Sequence, residues 1–461
     1  MNFLLIGRPN AGKSSLYNIL TSGKNNIIHK EEGTTRDWHK SSVKGLENIF
    51  IYDTPGVIIE NDKIDKVHFS DLFNSIEKLI YVIDFKEKNY ENEIQSINKL
   101  RSLNKGIVFV SKISPGTVLE DYAGLLQKAK VENNFDKSIT TFLKVNISWD
   151  RYYPACSTAP WQLEGVIKEL ENYNFKKIVA AHNGTVVVDP DKGREVNKHK
   201  NVEDKYGLDH VVLDSKESKW IEYKPKTKLL ILDKIFTNGI KIPEVFPDTN
   251  IIHLPTMKTH VFTTMTGAMK NAFGGLLNYN RHWTHADIHK TLVDLLIIQQ
   301  DIHKNIFAVS DGAFSGDGPG PRAMRIAEKN IIVGGYDQVS VDSVVAKMMG
   351  FNPMKIDKLR IAHELGLGVA KTEEIKVIGE DVSKINWGYS SKENTFASKG
   401  QKLIYWGPLK PIEKFLLRSK LARLAFIASD LYHNKYWLRF IGKRRIKRAM
   451  KSEWGKLFQN Y

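Results

Sequence analysis

The apolar positions near the start of the chain form short runs that polar turns interrupt. Residues 3–6 are four apolar side chains in a row, a length typical of a buried strand. A glycine-containing turn follows, and after it Leu16, Ile19 and Leu20 recur at the spacing of one helix face. A second apolar run covers residues 49–52. This alternation of strand and helix patterns predicts an α/β unit at the start of the chain.

The same alternation continues over a much longer stretch. Apolar runs typical of strands lie at residues 140–145, 178–180, 228–232, 251–254, 306–309 and 331–333. Helical patterns separate these runs, and several runs end in loops dense in polar residues. We therefore predict three domains: an α/β domain over residues 1–111, a larger α/β domain over 112–407, and a basic, aromatic-rich helical segment over 408–461.

Composition limits the class of protein. The chain has 461 residues, 42% hydrophobic and 26% charged, and no apolar stretch approaches the length of a membrane span. Cys156 is the only cysteine, which excludes an internal disulfide and a Cys-ligated iron–sulfur cluster. Such cysteine usage fits a reducing compartment. We therefore expect a cytoplasmic protein without an iron–sulfur cluster.

The net charge of +16 is concentrated at the end of the chain. Residues 411–461 contain thirteen Lys or Arg against three Asp or Glu, a local excess of 13 − 3 = 10 positive charges. Aromatic and aliphatic residues recur among them at helical spacing, which predicts amphipathic helices with a basic face. Such a face could dock on RNA or on an anionic surface, or its apolar side could simply pack on the main body.

Residues 7–14 match the phosphate-binding loop pattern G-x-x-x-x-G-K-[ST]. The turn joins the run 3–6 to a predicted helix, so backbone N–H groups and the positive end of the helix dipole face one phosphate chain. Lys13 would reach the outer phosphates, and the Ser14 hydroxyl would bind Mg²⁺. The predicted nucleotide contacts in this loop are Asn10, Ala11, Gly12, Lys13, Ser14 and Ser15.

Two further motifs follow in the order that a nucleoside triphosphatase requires. Thr35 lies in a polar stretch, where its hydroxyl could close over Mg²⁺ as a mobile switch. Asp53 follows the run 49–52, where its carboxylate can hold the metal through water, and the Gly56 N–H is free to meet a γ-phosphate. We therefore expect Ser14, Thr35 and Asp53 to bind Mg²⁺.

With G-R-P-N-x-G-K-S, G-T-T-R-D and D-T-P-G at this spacing, the first quarter of the chain resembles the Era/Der (EngA) family of translation-factor-type GTPases. The resemblance implies a P-loop domain that binds GTP with Mg²⁺ and hydrolyses it. As in that family, an apolar residue, Val57, follows the last motif, so no glutamine there can orient the attacking water.

The resemblance ends before the guanine-recognition motif. The family recognises guanine through N-K-x-D after its fifth strand, with the Asp accepting two hydrogen bonds from the base. Here the apolar run 107–110 leads into Ser111, Lys112, Ile113 and Ser114, without the Asn or the Asp. We therefore expect a truncated domain with weak guanine selectivity and weak or degenerate GTPase activity.

Polar residues concentrate in the larger domain after the run 251–254. Lysine and histidine side chains with nearby glycines suit an anionic ligand held by ammonium and backbone N–H groups. The candidate ligand-site residues are Lys258, His260, Lys270, Asn271, His282, His285, His289, Asp311 and Arg322. His285 and His289 are four residues apart, so on a helix they would share one face and could bind a metal. Alternatively, these side chains satisfy buried carbonyls or form a solvated helix face.

Motifs in the same region resemble the domain-of-unknown-function family 362. L-P-x-x-K-T-H, M-T-G-A-M-K-N-x-F-G, R-H-x-x-H and G-x-G-P occur in that family's order over roughly residues 112–379. Many members carry a Cys-rich ferredoxin segment, which this chain lacks. The resemblance implies no settled reaction.

Two hypotheses for function follow, and whether the protein is an enzyme stays open. In the first, the N-terminal domain binds Mg²⁺ and nucleotide, hydrolyses GTP through Lys13, Ser14, Thr35 and Asp53, and couples its switch to the larger domain. In the second, the GTPase part is a vestigial or fused fragment, and the activity lies in the second domain, on an anionic or metal-bound ligand. The abrupt change of pattern at Ser111 also allows a junction of two joined reading frames.

Overall fold

The computed structural model describes residues 2–6, 11–21, 27–29, 38–45, 50–53, 78–83, 106–184, 188–215, 217–418, 427 and 430–461. The chain forms two compact units, Met1–Leu100 and Arg101–Tyr461. The predicted α/β class is confirmed in both units. The exact limits of the three predicted domains stay a prediction.

The first unit is built on a five-stranded sheet. Its described elements are β1 (Asn2–Ile6), α1 (Lys13–Leu20), β2 (Ile27–His29), β3 (Trp38–Ser42), β4 (Phe50–Asp53) and β5 (Lys78–Tyr81). The strand order is β2-β3-β4-β1-β5, in which β1 runs parallel to β4 and β5, and β3 runs antiparallel to its neighbours. Leu5, Tyr17 and Ile51 are buried together, so the apolar face of α1 packs on the sheet.

The second unit begins with alternating strands and helices. Its first elements are β6 (Ile107–Lys112), α2 (Val118–Lys128), α3 (Val131–Asn134), β7 (Thr141–Val145), α4 (Pro160–Asn172), β8 (Ile178–His182), α5 (Pro190–Val196), α6 (His199–Tyr206), β9 (Asp209–Val212), β10 (Trp220–Tyr223), α7 (Leu232–Ile235) and β11 (Ile240–Pro243). The predicted strands at residues 140–145 and 178–180 are thus confirmed.

The middle of this unit carries the candidate ligand residues. Its elements are β12 (Thr249–Leu254), β13 (Thr256–His260), β14 (Thr264–Met265), α8 (Gly267–Asn271), α9 (Phe273–Leu276), a 3₁₀ helix (Tyr279–Asp287), α10 (Ile288–Ile302), β15 (His303–Asp317), β16 (Arg325–Glu328) and β17 (Ile331–Gly335). The predicted strands at residues 251–254, 306–309 and 331–333 lie within β12, β15 and β17.

The remaining elements are mostly helical. They are α11 (Gln338–Met349), a 3₁₀ turn (Pro353–Lys355), α12 (Asp357–Glu364), a 3₁₀ turn (Thr372–Glu374), β18 (Lys376–Gly379), α13 (Phe396–Tyr405), a 3₁₀ turn (Lys410–Ile412), α14 (Glu413–Arg418), a π-helix (Leu431–Gly442), α15 (Lys443–Ala449) and α16 (Glu453–Asn460). The described parts of the predicted C-terminal segment are therefore helical.

The large sheet of the second unit has the order β18-β6-β17-β15-β12-β7-β8-β9. Pairing is parallel from β15 through β12, β7 and β8 to β9, so the carboxyl ends of these strands lie at one edge. Strand β17 is antiparallel to β15 and β6. Ligands of such sheets bind where parallel strands end, and this edge carries β13, α8 and the 3₁₀ helix in sequence continuity with β12.

Residues 228–232 do not form the predicted strand. The backbone N–H groups of Leu230, Ile231 and Leu232 all donate to the carboxylate of Asp294, at 2.7–2.9 Å, and α7 starts at Leu232. Asp294 is fully buried on α10. A buried carboxylate therefore takes the donors that a neighbouring strand would use, and the apolar side chains pack without joining a sheet.

The run 107–110 also differs from its predicted place. We expected it to be the last strand of the GTPase-like domain, leading into the guanine-recognition position. In the structure, β6 pairs in parallel with β18 and antiparallel with β17, inside the sheet of the second unit. Val108 and Val110 are buried on one face of β6 and Phe109 is buried on the other, so both faces of the sheet are covered here.

Candidate nucleotide site and a cationic site in the second unit

Gly12 and Lys13 mark the start of α1 at the end of the phosphate-binding loop. Gly12 has φ +89° and ψ 13°, a left-handed conformation that glycine adopts without a Cβ clash. The Gly12 carbonyl accepts a hydrogen bond from Leu16 N–H at 3.0 Å, so the helix is hydrogen-bonded from its first turn. The Lys13 side chain is only 5% exposed. The loop therefore ends in a helix N-terminus with a buried lysine at its first position.

Ser14 and Asp53 contact each other although 39 residues separate them. The Ser14 Oγ donates a hydrogen bond to Asp53 Oδ2 at 2.8 Å. Parallel pairing of β1 with β4 sets Asp53 opposite Leu5, at the strand ends nearest the loop. The second carboxylate oxygen of Asp53, Oδ1, is buried and has no hydrogen-bond partner among the described residues. A hydroxyl next to a carboxylate that has one oxygen not engaged in a hydrogen bond within the described residues suits a hard divalent cation such as Mg²⁺.

Burial lowers the pKa of Lys13, and the charge of Asp53 partly opposes this shift. A charged ammonium is favoured by nearby anions and disfavoured by removal from water. The lysine therefore lies where additional negative charge, such as a phosphate chain, would favour its protonated form.

The other predicted nucleotide contacts are only partly described. Ala11 is half-buried before the helix, and Ser15 is exposed on α1. Asn10, Thr35 and Gly56 lie outside the described residues. Their roles stay predictions.

Lys258 in β13 is fully buried and donates to backbone and hydroxyl oxygens. Its Nζ donates to the Cys156 carbonyl and to Ser148 Oγ at 3.2 Å. Arg322 approaches the same place, because its Nε donates to the Ser148 carbonyl at 3.0 Å and its guanidinium lies over the Trp149 ring. Burial lowers the pKa of Lys258 to about 8. Lys258 and Arg322 therefore meet at Ser148, without a carboxylate bonded to either among the described residues.

Lys270 on α8 has no ion-pair or hydrogen-bond partner among the described residues. Its ammonium lies 5.4 Å from the centre of the Phe273 ring. Burial lowers its pKa to about 7, and the positive charges of Lys258, Lys358 and Arg281 lower it further. Lys270 is half-buried, and an unpaired cation that has lost part of its hydration is costly, so an anion at this position would offset both the lost hydration and the repulsion.

The nearby carboxylates are already paired. Lys358 binds Asp342 at 2.9 Å, and both side chains are fully buried. Arg281 binds Asp214 at 3.3 Å. Because these acids neutralise other cations, the positive charge of Lys258 and Lys270 is left unbalanced among the described residues.

His260 and His285 lie close to Lys270. The charge of Lys270 acts on both imidazoles and helps to lower their pKa values, after burial. The ring of Phe262 lies 5.8 Å from each of His260 and His285. Tyr405 stacks on His285 at 5.6 Å. The structure thus brings Lys258, His260, Lys270 and His285 together.

The predicted metal pair of His285 and His289 does not share one helix face. His285 lies in the last turn of the 3₁₀ helix, whereas His289 is the second residue of α10. The Nδ1 of His289 accepts from Lys358 N–H at 3.0 Å. His282 contacts the Trp283 ring. In the described part of the chain, no group of three or more His, Cys, Asp or Glu side chains could hold a metal ion.

Asn271 and Asp311 make local contacts that support the fold. Asn271 Nδ2 donates to the Lys144 carbonyl at 2.7 Å, which ties α8 to the end of β7. The Asp311 carboxylate accepts from Tyr122 Oη at 2.7 Å and from Trp161 Nε1 at 3.1 Å. Burial raises the pKa of Asp311 to about 6. The polar atoms of Asp311 therefore face α2 and α4.

Sequence reasoning missed several polar groups of this region. Lys358 and Arg281 act electrostatically on Lys270. Asn146 lies next to Ser148, whose Oγ donates to Asn146 Oδ1 at 2.9 Å, and its buried Nδ2 has no partner among the described residues. The buried hydroxyl of Thr266 likewise has none there. Asn146 directly follows a predicted strand, so its position at a strand end could have identified it as a candidate site residue. The sequence around Lys358 contains no comparable pattern.

The comparisons with known proteins match two separate segments. Residues 2–113 match the family described as 50S ribosome-binding GTPase, and residues 141–347 match Domain of unknown function (DUF362). Both resemblances found in the sequence are therefore confirmed.

GTPases are among the individual proteins that this chain resembles. GTPase Der of Nautilia profundicola is 32% identical over 122 residues, 25% of this chain and 26% of the relative. The tRNA modification GTPase MnmE of Wigglesworthia glossinidia brevipalpis is 37% identical over 98 residues, 20% of this chain and 21% of the relative. The chain thus spans about a quarter of the length of these curated relatives. A solved S. thermophilus NFeoB mutant bound to GDP is 28% identical and covers 21% of this chain and 40% of its own, with a TM-score of 0.19.

Among the residues that the structure describes, none of the helices combines the length and apolar character needed to cross a bilayer.

Proposed function

We propose that the first unit binds GTP with Mg²⁺ and hydrolyses it weakly, as part of a cytoplasmic protein. The observation that carries this proposal is the 2.8 Å hydrogen bond between Ser14 and Asp53. It joins the hydroxyl of the phosphate-loop motif to the carboxylate of the strand-end motif, the pairing that Mg²⁺ binding requires in P-loop GTPases. The matches to the 50S ribosome-binding GTPase family and to GTPase Der support GTP as the nucleotide.

The residues of this unit would have separate roles in binding Mg²⁺ and the phosphates. Ser14 and Asp53, with Thr35, would hold Mg²⁺, which when bound neutralises charge on the β- and γ-phosphates. Lys13 would hold the outer phosphates with its ammonium group, and the backbone N–H groups at the start of α1 would orient them. Because Asp53 Oδ1 is buried without a partner among the described residues, it favours a cation close to it.

One feature supports weak hydrolysis, and another supports weak guanine selectivity. Val57 stands where some GTPases have a glutamine that orients water, so the chain offers no water-positioning group there. In addition, Ser114 does not replace the missing guanine-binding Asp, because its Oγ is hydrogen-bonded to Thr117 Oγ1 at 2.8 Å and its N–H donates to Asp121. Both polar groups of Ser114 are therefore used at the start of α2.

Calorimetric titration of the full chain with GTP tests this proposal. In the presence of Mg²⁺, Lys13→Ala should weaken GTP binding by about 2–4 kcal/mol, the loss typical of one charge-assisted phosphate contact. Asn18→Ala, an exposed change on the same helix, is the control and should bind like the wild type. Unchanged GTP affinity in Lys13→Ala would exclude the assigned site.

A second candidate function lies in the second unit, where we propose an anionic ligand. The observation that favours it is Lys270, a lysine near three other cations with no carboxylate bonded to it among the described residues. Lys258 adds a second cation without such a partner. An oxyanion would pair with both. This is the alternative in which the GTPase part is vestigial and the activity belongs to the second unit.

Thermal unfolding in the presence of sulfate and phosphate tests the second candidate. Either anion should raise the melting temperature of the wild type, since a ligand that binds only the folded state stabilises it. Lys270→Met should abolish the increase, whereas Lys376→Met, an exposed lysine on β18, should retain it. An equal increase in both variants would mean that the anions act through general salt effects.

As a third function, we propose that the π-helix binds a polyanionic surface. Exposed Tyr436 and Phe440 alternate with exposed Lys435 and Arg439, while Trp437 is buried against the body of the unit. Basic groups beside exposed aromatic rings suit RNA or an anionic surface. Replacing Lys435 and Arg439 by Gln should weaken retention on both heparin and single-stranded RNA; unchanged retention would leave this helix face without that role.

A further inference from the structure

The hydrogen bonds of His260 determine which of its ring nitrogens carries the proton. Its Nδ1 accepts a hydrogen bond from Phe262 N–H at 3.2 Å. Burial, followed by the charge of Lys270, holds the pKa of this imidazole well below its usual range, so the ring is neutral. A neutral imidazole with an accepting Nδ1 has its proton on Nε2. The Nε2 of His260 is therefore a hydrogen-bond donor.

His285 has the opposite arrangement. Its Nδ1 lies 3.1 Å from the carbonyl oxygen of His282. A carbonyl only accepts, so Nδ1 carries the proton and Nε2 keeps a lone pair. Burial lowers the pKa of His285 to about 3, so the ring is not protonated at neutral pH. The Nε2 of His285 is therefore an acceptor.

These two nitrogens and the ammonium of Lys270 belong to one cluster. Phe262 contacts both imidazoles, with ring centres 5.8 Å apart in each case. Phe273 connects His285 to Lys270, at 5.4 Å from each. Within the described ranges, neither Nε2 atom nor the Lys270 ammonium has a hydrogen-bond partner. The cluster therefore contains three groups that a ligand could pair with: the Lys270 ammonium, the donor His260 Nε2 and the acceptor His285 Nε2.

A hydrogen-bond acceptor in an anion-binding site favours anions that carry a proton over anions that carry none. Sulfate has lone pairs on all its oxygens, so one of them would face the lone pair of His285 Nε2 without a proton between them. A phosphate that keeps one proton can accept from Lys270 and His260 and donate its own P–OH to His285. A bound anion that leaves the His285 acceptor without a hydrogen bond therefore loses free energy relative to one that donates to it.

We propose that Lys270, His260 and His285 form a site for a monoprotonated phosphate, free or as a phosphomonoester. The proposal rests on the anionic ligand proposed above for the second unit, and it adds the ligand class and the residue that selects it. His285 is here a specificity-determining residue, because its bond to the His282 carbonyl fixes the acceptor.

Calorimetric titration of the full chain with methyl phosphate and methyl sulfate tests the proposal. At about pH 6, close to the second pKa of phosphomonoesters, much of the methyl phosphate is a monoanion that retains a proton. Methyl sulfate is a monoanion of nearly the same shape without one. We expect wild-type protein to bind methyl phosphate at least about tenfold more tightly, or about 1.4 kcal/mol. Inorganic phosphate, titrated in parallel, shows whether the free anion or the ester fits better.

Variants then test which residue is responsible for the preference for methyl phosphate over methyl sulfate. His285→Phe keeps an aromatic ring against Tyr405 but removes the acceptor, so the preference should disappear: methyl phosphate loses a hydrogen bond, and methyl sulfate, which no longer faces a lone pair, binds at least as tightly as to the wild type. Lys270→Met should lose both anions, and Lys376→Met should bind like the wild type.

The outcomes separate this proposal from the one on which it rests. Equal binding of the two methyl esters by the wild type would overturn phosphate selection but leave an anion site. Binding of neither ester nor of inorganic phosphate would refute the anion site itself. A preference that survives His285→Phe would overturn the role of His285. The wild-type comparison decides the first two points even if the variants do not fold.

Discussion

The Ser14 hydroxyl donates a 2.8 Å hydrogen bond to the Asp53 carboxylate, although the two residues lie on different elements of the first unit. Ser14 is in the first turn of α1, and Asp53 is the last residue of β4. Parallel pairing of β1 with β4 brings these two ends together. The contact links two sequence motifs in one oxygen-rich position, and it is the geometric basis of the Mg²⁺-dependent nucleotide site that we propose.

Asp53→Asn should remove the Mg²⁺ dependence of GTP binding. Asparagine can still accept the hydrogen bond from Ser14, so the fold should persist, but it lacks the charge that a divalent cation needs. We expect calorimetry with Mg²⁺ and with a chelator to give the same GTP affinity for this variant, against a clear gain with Mg²⁺ in the wild type. Ser14→Ala should behave in the same way. Retained Mg²⁺ enhancement in both variants would contradict the site.

Guanine selectivity should be small. Without the Asn and Asp of the guanine motif at residues 111–114, we expect GTP to be preferred over ATP by less than roughly tenfold, about 1.4 kcal/mol. Competition between the two nucleotides in a filter-binding assay measures the ratio. A preference of several orders of magnitude would show that another segment of the chain binds the base.

Gly267→Ala should destabilise the second unit strongly. Gly267 has φ +76°, and a Cβ there would lie 2.2 Å from Asp342 Oδ1. This oxygen accepts from Ala268 N–H, and Oδ2 of the same carboxylate binds Lys358. Backbone strain and overpacking together should cost about 2–5 kcal/mol.

The control for this variant is Gly124→Ala, at an α2 position where a Cβ meets nothing within 4 Å. Removing this helical glycine should stabilise the unit by up to about 1 kcal/mol. Denaturant unfolding followed by tryptophan fluorescence reports mainly on the second unit, because Trp38 alone of the nine tryptophans precedes residue 101. A tolerated Gly267→Ala would mean that α8 and Asp342 can move apart.

Acid should weaken the second unit through its buried histidines. Burial lowers the pKa of His303 to about 3, whereas in the unfolded chain it is about 6.5. Between these values the unfolded state binds more protons than the folded state, so the free energy of unfolding falls as the pH falls. One such group changes it by about 1.4 kcal/mol for each pH unit.

His303→Phe should therefore flatten the fall in stability between about pH 6.5 and 5 by about 2 kcal/mol. The neighbouring Phe246 ring can pack against the new side chain. His210→Phe, at an exposed position, is the control and should leave the slope unchanged. Urea unfolding at several pH values gives the slopes, and identical slopes for His303→Phe and the wild type would show that His303 is accessible to protons in the folded state.

Local patterns predicted the elements that build each site. The run 3–6, the glycine turn and the leucine spacing after it predicted β1 and α1, because strand and helix periods are properties of neighbouring residues. The apolar runs at residues 251–254 and 306–309 likewise predicted β12 and β15. The run 228–232 had the same apolar character, yet Asp294, over 60 residues later, takes its N–H groups.

The sequence alone determined the phosphate-binding motif, the order of the strand-end motifs, the resemblance to two families and the concentration of Lys and His after β12. These properties depend on residue types at short spacing. Tertiary structure decided the rest: that β6 belongs to the second sheet, that Asp342 neutralises Lys358, that Lys270 has no carboxylate partner among the described residues, and that His260 and His285 have opposite protonated nitrogens. Strand pairing, burial and charge pairing depend on groups that are distant in sequence, so no local pattern contains them.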